Sequence, residues 1–452
     1  MTAEPGATEG HGAVGRALSR VVAVRPDELR SLLLSAAYFF FILSSYYVIR
    51  PLRDEMGVAG GVRNLPWLFT GTLVAMLLIH APFAALVARL PRRRFVTLTF
   101  RFFLVNLLLF YGLLRLAPAE QRVWVGRAFF VWTSVFSLFV VSTFWAVLVD
   151  VFRAEQGKRL FGFIGVGGTV GGLLGSWATA TLAERLGPVQ LLLLSALLLE
   201  CAVQCVVQLI APGAAAPGGP APGPDPERPI GGNTLAGIAH VLRSPYLLGI
   251  ALYMLLYTMG STALYFHQAR FAEAFADRAA RTVFFARLDL AVNSLTTLTQ
   301  LFLTGRIIAW LGVPLTLGLL PLLTAVGFVT LGLWPTLAVF VVFQVLRRAG
   351  EYAVGRPARE VLYTVVSRED KYKAKNFNDT LVYRVGDQAA AWSYDRLLVG
   401  VMGLGIAAIS WVMVPLAGAW LAVALWLGRR QSALAGAPAD GGGPAGEPRA
   451  AG

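Results

Sequence analysis

The sequence predicts an all-α membrane protein with twelve transmembrane helices in two pseudo-symmetric six-helix bundles. Three observations carry this expectation. Of 452 residues, 56% are hydrophobic and 14% charged, outside the range of soluble domains. A hydrocarbon core about 30 Å thick needs about 20 apolar residues per helix, and stretches of about that length recur along the whole chain. A Pro- and Gly-rich run, PGAAAPGGPAPGPDPERP, divides them six and six; no helix continues through such a composition.

Residues 1–24 are rich in Gly and Ala and lack the short apolar core and small-residue cleavage site of a signal peptide. They read as a flexible, uncleaved cytoplasmic amino terminus. Residues 25–210 form the first bundle, with apolar stretches at about 31–48, 67–90, 95–116, 123–152, 161–186 and 189–210. Residues 211–240 make a cytoplasmic linker. The second bundle, 241–428, has stretches at about 246–268, 282–311, 314–333, 337–366, 377–399 and 406–427, and a disordered tail, 429–452, closes the chain. Two equal helical halves joined by a polar linker resemble the layout of the major facilitator superfamily, whose halves rock around a midplane site.

The net charge of +14 would suggest nucleic acid in a soluble chain. Here basic residues are expected at cytoplasmic helix ends, so the partners are the lipid bilayer and a small solute, with no nucleic acid. Placing the amino terminus inside puts RLPRRR (89–94), RAEQGKR (153–159), KYKAK (371–375), Arg429 and Arg430 in the cytoplasm, as a multi-pass inner-membrane protein requires. Arg50, Arg53, Arg63, Arg270, Arg278 and Arg281 then fall on the other side or inside the bundle. Cys201 and Cys205 share one helix face as packing residues, and the four histidines show no ligand spacing, so neither a metal nor a cofactor is expected.

The polar chemistry concentrates in a few spans. The first ends in YYVIRPLRDEMG, where Arg50, Arg53 and Asp54 share a helix face around Pro51. A proline there frees a carbonyl, a device tolerated where neighbours or a water-filled cavity satisfy it; the plain alternative is a solvated extracellular cap. The cytoplasmic end of the fourth span carries Asp150, Arg153, Glu155 and Lys158. With Asp370 and Lys373 across the other half, these read as a gate of opposite charges, against the alternative of a solvated loop. The glycines of GFIGVGGTVGGLLGS match neither a dinucleotide loop nor a P-loop, and instead permit close helix packing. In the eighth span Asp289, Asn293 and Gln300 follow one stripe. In the tenth Gln344, Arg348, Tyr352, Gly355 and Arg359 advance by about one turn each, beside Arg347, Glu351, Arg356 and Glu360. The eleventh adds Asn376, Asp379, Tyr383, Arg384, Asp387 and Gln388. Spans this polar are tolerable around water or substrate.

RPLRD at 50–54, EQGKRLFGFIG at 155–165 and RPAREVLYTVVSREDKYKAKN at 356–376 resemble segments of the ATP:ADP antiporter (NTP/NDP exchange transporter) family. The resemblance implies nucleotide exchange, with Arg53 and Asp54 in the places of a lysine and an aspartate, and Arg359 in that of a phosphate-contacting lysine. Two departures stand out. Arginine replaces both lysines, exchanging a point charge for a planar fork, and the fourth span offers Thr133, Ser137 and Ser142 where a glutamate is expected.

The leading expectation is a non-enzymatic secondary transporter, a monomer in its plainest form, that moves an anionic, phosphate-bearing solute by alternating access. Its substrate-binding set is Arg50, Arg53, Asp54, Asp289, Asn293, Arg348, Arg356, Arg359 and Asp387, with Arg53 and Arg359 facing one cavity from opposite halves. The alternatives are proton-coupled transport of another organic anion, with Asp289, Asp379 or Asp387 protonated, and a non-transporting sensor or scaffold.

Overall fold

The computed structural model describes residues 25, 28–210, 244–366, 375 and 377–436, almost all of them helical. In chain order the first half contains α1 (Leu29–Ala59), α2 (Leu65–Arg89), α3 (Arg92–Leu116), α4 (Ala119–Val151), α5 (Ala154–Leu186) and α6 (Leu191–Leu209). The second contains α7 (Pro245–Glu273), α8 (Arg278–Phe302), α9 (Thr304–Leu333), α10 (beginning Leu337–Gly350), α11 (centred on Tyr383–Trp392) and α12 (Ile406–Gly436). Nine helices among the described residues are long and apolar enough to cross a membrane. The other three, α8, α10 and α11, carry the ionisable stripes. Their polar faces lower the mean hydropathy, and such faces persist at membrane depth where protein or a cavity covers them.

In the first half, α5 lies directly on α1. A Cβ on Gly167, Gly171 or Gly175 would collide with the carbonyl oxygens of Ala36, Phe40 and Ser44, so a four-residue spacing on one helix meets the same spacing on the other, the small-residue packing of membrane bundles. Ser44 Oγ donates to the Gly171 carbonyl at 3.1 Å, and Thr179 Oγ1 to that of Val48 at 3.2 Å. Behind them Tyr38 packs between Phe100 and Phe144, ring centroids 5.6 and 5.2 Å away. In the second half Trp420 fills the equivalent role against Tyr253 and Tyr257. A third apolar cluster belongs to both halves: Val58, Leu65, Leu68 and Phe130 meet Leu264, Phe266 and Phe285. It lies at the end of the molecule where α1 turns into α2, through Gly61 at φ 88°, a conformation that favours glycine. This end is sealed.

Three boundaries differ from expectation. The eighth span was expected to reach 311, but α8 stops at Phe302, and α9 begins at Thr304 with a break at Gly312, φ 65°. α12 continues to Gly436, past the expected bundle end at 428. Thirdly, α10 does not stay α-helical: Glu351–Gly355 widen into a π-type turn before Arg356–Val361 resume. Pro357 has no N–H for the carbonyl four residues earlier, that of Ala353, which accepts instead from Thr304 Oγ1 at 2.9 Å. The Tyr352 carbonyl accepts from Gln300 Nε2 at 3.2 Å. The expected linker, 211–240, lies outside the described residues.

Candidate functional site

A cavity of 450 Å³ lies between the halves, within the range of small-molecule sites. The first half contributes Arg50, Arg53 and Asp54 from α1, Thr72 and Met76 from α2, and Phe130, Ser134 and Ser137 from α4. The second contributes Tyr257, Thr262 and Tyr265 from α7, Arg347, Arg348, Glu351, Tyr352 and Arg356 from α10, and Tyr383, Arg384 and Asp387 from α11. Six arginines therefore face three carboxylates, with tyrosines between them.

Each charge has its own setting. Arg53 bonds Asp54 Oδ1 through Nη2 at 2.6 Å and covers the Phe130 ring at 4.9 Å, while Tyr265 donates to the same oxygen at 3.1 Å from the other half. Arg356 covers Tyr352 at 4.7 Å and reaches Glu351 at 3.8 Å. Arg347 is 2% exposed. Its Nη2 donates to the Tyr257 carbonyl at 3.3 Å, its guanidinium lies over that ring, and its Nε has no hydrogen-bond partner. Among the described residues no carboxylate lies within ion-pair distance of it. Asp387 accepts from Thr262 Oγ1 at 2.9 Å, likewise without an ion pair among the described residues.

Of the expected binding residues, Arg50, Arg53, Asp54, Arg348, Arg356 and Asp387 line this cavity. Three do not. Arg359 is not among the lining residues and instead contacts two of them from behind, with its Nη1 3.3 Å from Glu351 Oε1 and its guanidinium 5.9 Å from the Tyr257 ring; the π-type turn shifts the phase of α10, so that residues 344, 348, 352 and 356 stay on the cavity face. Asp289 stands behind the wall, contacting Arg50 and Arg348. Asn293 donates to Ser176 of α5 at 3.4 Å, as a helix-to-helix contact. The binding set omitted Arg347, Arg384 and the tyrosines, although Arg347 is visible in the sequence as a second arginine beside Arg348. From α4, Ser134 and Ser137 reach the cavity and Thr133 stays buried, bonded to the Phe129 carbonyl.

The expected gate is only partly described. Asp150 and Glu155 are exposed at the α4–α5 turn; the Lys158 side chain, Asp370 and Lys373 lie outside the described residues. Ion pairs that do join the halves are found towards the sealed end instead. Glu55, fully buried, accepts from Arg278 at 3.0 and 2.9 Å and from Arg281 at 3.3 Å, and Arg50 reaches Asp289. Thr70 also bonds Gln388, and Trp67 packs on Trp392 at 4.9 Å.

The backbone resembles solved transporter structures. It aligns with a D-xylose–proton symporter at a TM-score of 0.61 and 13% identity, over 88% of this chain and 97% of that one. The nucleoside transporter NupG gives 0.59 and 13%, over 91% and 100%. A bacterial homologue of the human lysosomal transporter Spinster, in an inward-facing and unoccupied conformation, gives 0.55 and 14%, over 91% and 94%. The fold is major facilitator-like. No protein-family model matches the sequence, and no curated protein does.

Proposed function

We propose that this chain is a secondary transporter that moves an anionic, phosphate-bearing solute across the inner membrane by alternating access, as in ATP/ADP-type exchange. The observation that carries the reading is the excess of guanidinium over carboxylate in a cavity bounded by both halves. Each charge at the bilayer centre costs about 2.5–3.5 kcal/mol on insertion scales, so such a cluster persists most easily where an anion offsets it. Arginine forks match phosphate oxygens two at a time. The interleaved tyrosines and Phe130 supply flat apolar faces suited to a planar group such as a nucleobase. Solute binds between the halves, neutralises cations drawn from each, and so favours the rocking that re-exposes it on the other side.

Purified protein in liposomes tests this. Labelled ADP, ATP and phosphorylated metabolites should enter saturably, and faster into vesicles preloaded with unlabelled solute. Uptake of neutral sugars or nucleosides with no uptake of any phosphate ester would overturn the reading. A second reading, proton-coupled transport of an organic anion, is favoured by Asp387, a cavity carboxylate without an ion pair among the described residues. It requires uptake to follow an imposed proton gradient and Asp387→Asn to abolish that dependence.

A further inference from the structure

Asp289 is 3% exposed and holds two arginines that line the cavity. Arg348 Nη2 donates to its Oδ1 at 2.8 Å, and Arg50 Nη1 lies 3.5 Å from the same oxygen. Arg50 belongs to the first half, Asp289 and Arg348 to the second, so this shared oxygen ties the halves together beside the cavity. The tie is uneven. Arg348 makes a short hydrogen bond, whereas Arg50 is held at a distance beyond good hydrogen-bond length, with its buried Nε unbonded, and the second oxygen of Asp289 is also without a partner. Arg50 thus keeps unused donors on a guanidinium that borders the cavity.

We infer that Asp289 is an internal stand-in for the anionic group of the solute, and that a bound phosphate taking over Arg50 is what allows the halves to part at the sealed end. The inference rests on the transport reading above and adds the coupling step to it. In the empty protein, parting the halves separates Arg50 from Asp289 and strands two buried charges, a strongly unfavourable step. With phosphate oxygens in the cavity, Arg50 leaves with a new counter-ion while Asp289 keeps Arg348. The solute then binds the two conformations unequally, which is the condition for a ligand to drive a change of state. The empty protein switches slowly and the loaded one quickly, so exchange outpaces net uptake.

The test uses the full-length chain with Cys201 and Cys205 replaced by alanine and spin labels at Arg63→Cys and Ala276→Cys, exposed positions on opposite halves at the sealed end. The probes are ADP and inorganic pyrophosphate. Empty protein should show the short inter-label distance, and saturating ADP should populate a longer one. Asp289→Asn should populate the longer distance without ligand, bind ADP about tenfold more tightly because no carboxylate competes, and raise uptake into empty vesicles towards that into preloaded ones. Asp289→Glu, which keeps the charge and extends its reach, should hold Arg50 more closely and weaken ADP binding; it also serves if the Asn variant does not fold. Unchanged distances and ADP affinity in the folded variants would overturn the inference and leave transport standing. If wild-type protein binds neither probe, the transport reading falls; an empty Asn variant that stays at the short distance then overturns the tie as well, and one that opens supports it.

Discussion

At Arg347, 2% exposed, the guanidinium meets the Tyr257 carbonyl and ring and no carboxylate within ion-pair distance among the described residues. A buried cation without a counter-ion is costly in the empty protein and valuable once an anion arrives. Arg347→Gln should therefore leave the unfolding temperature unchanged or raise it, while weakening solute binding by about 1.5–3 kcal/mol, the range for hydrogen bonds to charged groups. That is about ten- to hundredfold in Kd, measured on purified protein by titration. Arg359→Gln should do the reverse: it removes a partner of buried Glu351, so the unfolding temperature falls while affinity changes less. Equal losses of affinity in both variants would contradict the observed geometry. Glu28 offers a pH test outside the spans. Burial pushes its carboxyl up, but hydrogen bonds from the Arg25 N–H, Gln156 and Arg159, together with the Arg159 charge, outweigh this and hold it below its ordinary 4.5. A lowered carboxyl stabilises the fold above its unfolded value and loses that contribution as pH falls through its folded one. Melting temperatures of wild type and Glu28→Gln should differ at pH 7 and converge as the pH falls below the ordinary 4.5 and through the lowered folded value.

Among the elements, the glycines of α5 were legible as a packing stripe because close approach demands small residues at fixed spacing, and the structure separates those that pack from those that do not. A Cβ at position 171 meets the Phe40 carbonyl, whereas one at Gly165 has open space. Gly171→Ala should force α5 off α1 at a cost of about 1–3 kcal/mol, and Gly165→Ala should gain about 0.5–1 kcal/mol from reduced backbone freedom. Thermal unfolding in one detergent distinguishes them, and matching stabilities would contradict the direct backbone contact. The three polar helices were equally legible, since charge in a long apolar run needs a cavity or a partner. The face they present was not. Counting at 3.6 residues per turn put Arg359 with Arg348, but the π-type turn at Glu351–Gly355 adds backbone to one turn and brings Arg356 round instead. Pro357 signals a disturbance there without stating its size, and the side chains that absorb it, Gln300 and Thr304, come from α8 and α9.

For the molecule as a whole, orientation and conformational state can be tested together. Arg93, Arg94, Arg153, Arg159, Arg429 and Arg430 gather at one side, as cytoplasmic ends should, while several of the arginines at the sealed side are tied down. Arg122 donates to the Ala117 carbonyl at 2.8 Å, Arg127 to that of Gly60 at 3.1 Å, and Arg278 and Arg281 to Glu55. Such arginines cap backbone and carboxylate, and do not argue against an external face. The sealed end should then face outward, with Glu55 as its charged clasp. Glu55→Gln removes the anion between two cations; because Arg278 is 38% exposed and screened, the effect should lie nearer 1–3 kcal/mol than the full value of a buried pair. That shifts the balance towards an outward-open state about 5–150-fold. A cysteine at Ser261, on the cavity wall, reports it in the background lacking Cys201 and Cys205. A membrane-impermeant maleimide added to intact cells should label Arg63→Cys whether Glu55 is present or not, and should label Ser261→Cys much faster in Glu55→Gln than in its absence. Labelling of Arg63→Cys only after permeabilisation would invert the orientation. Equal labelling of Ser261→Cys with Glu55 present and absent would show that the apolar cluster of Leu65, Leu68, Phe130 and Phe266 keeps the outer side closed without the charge pair.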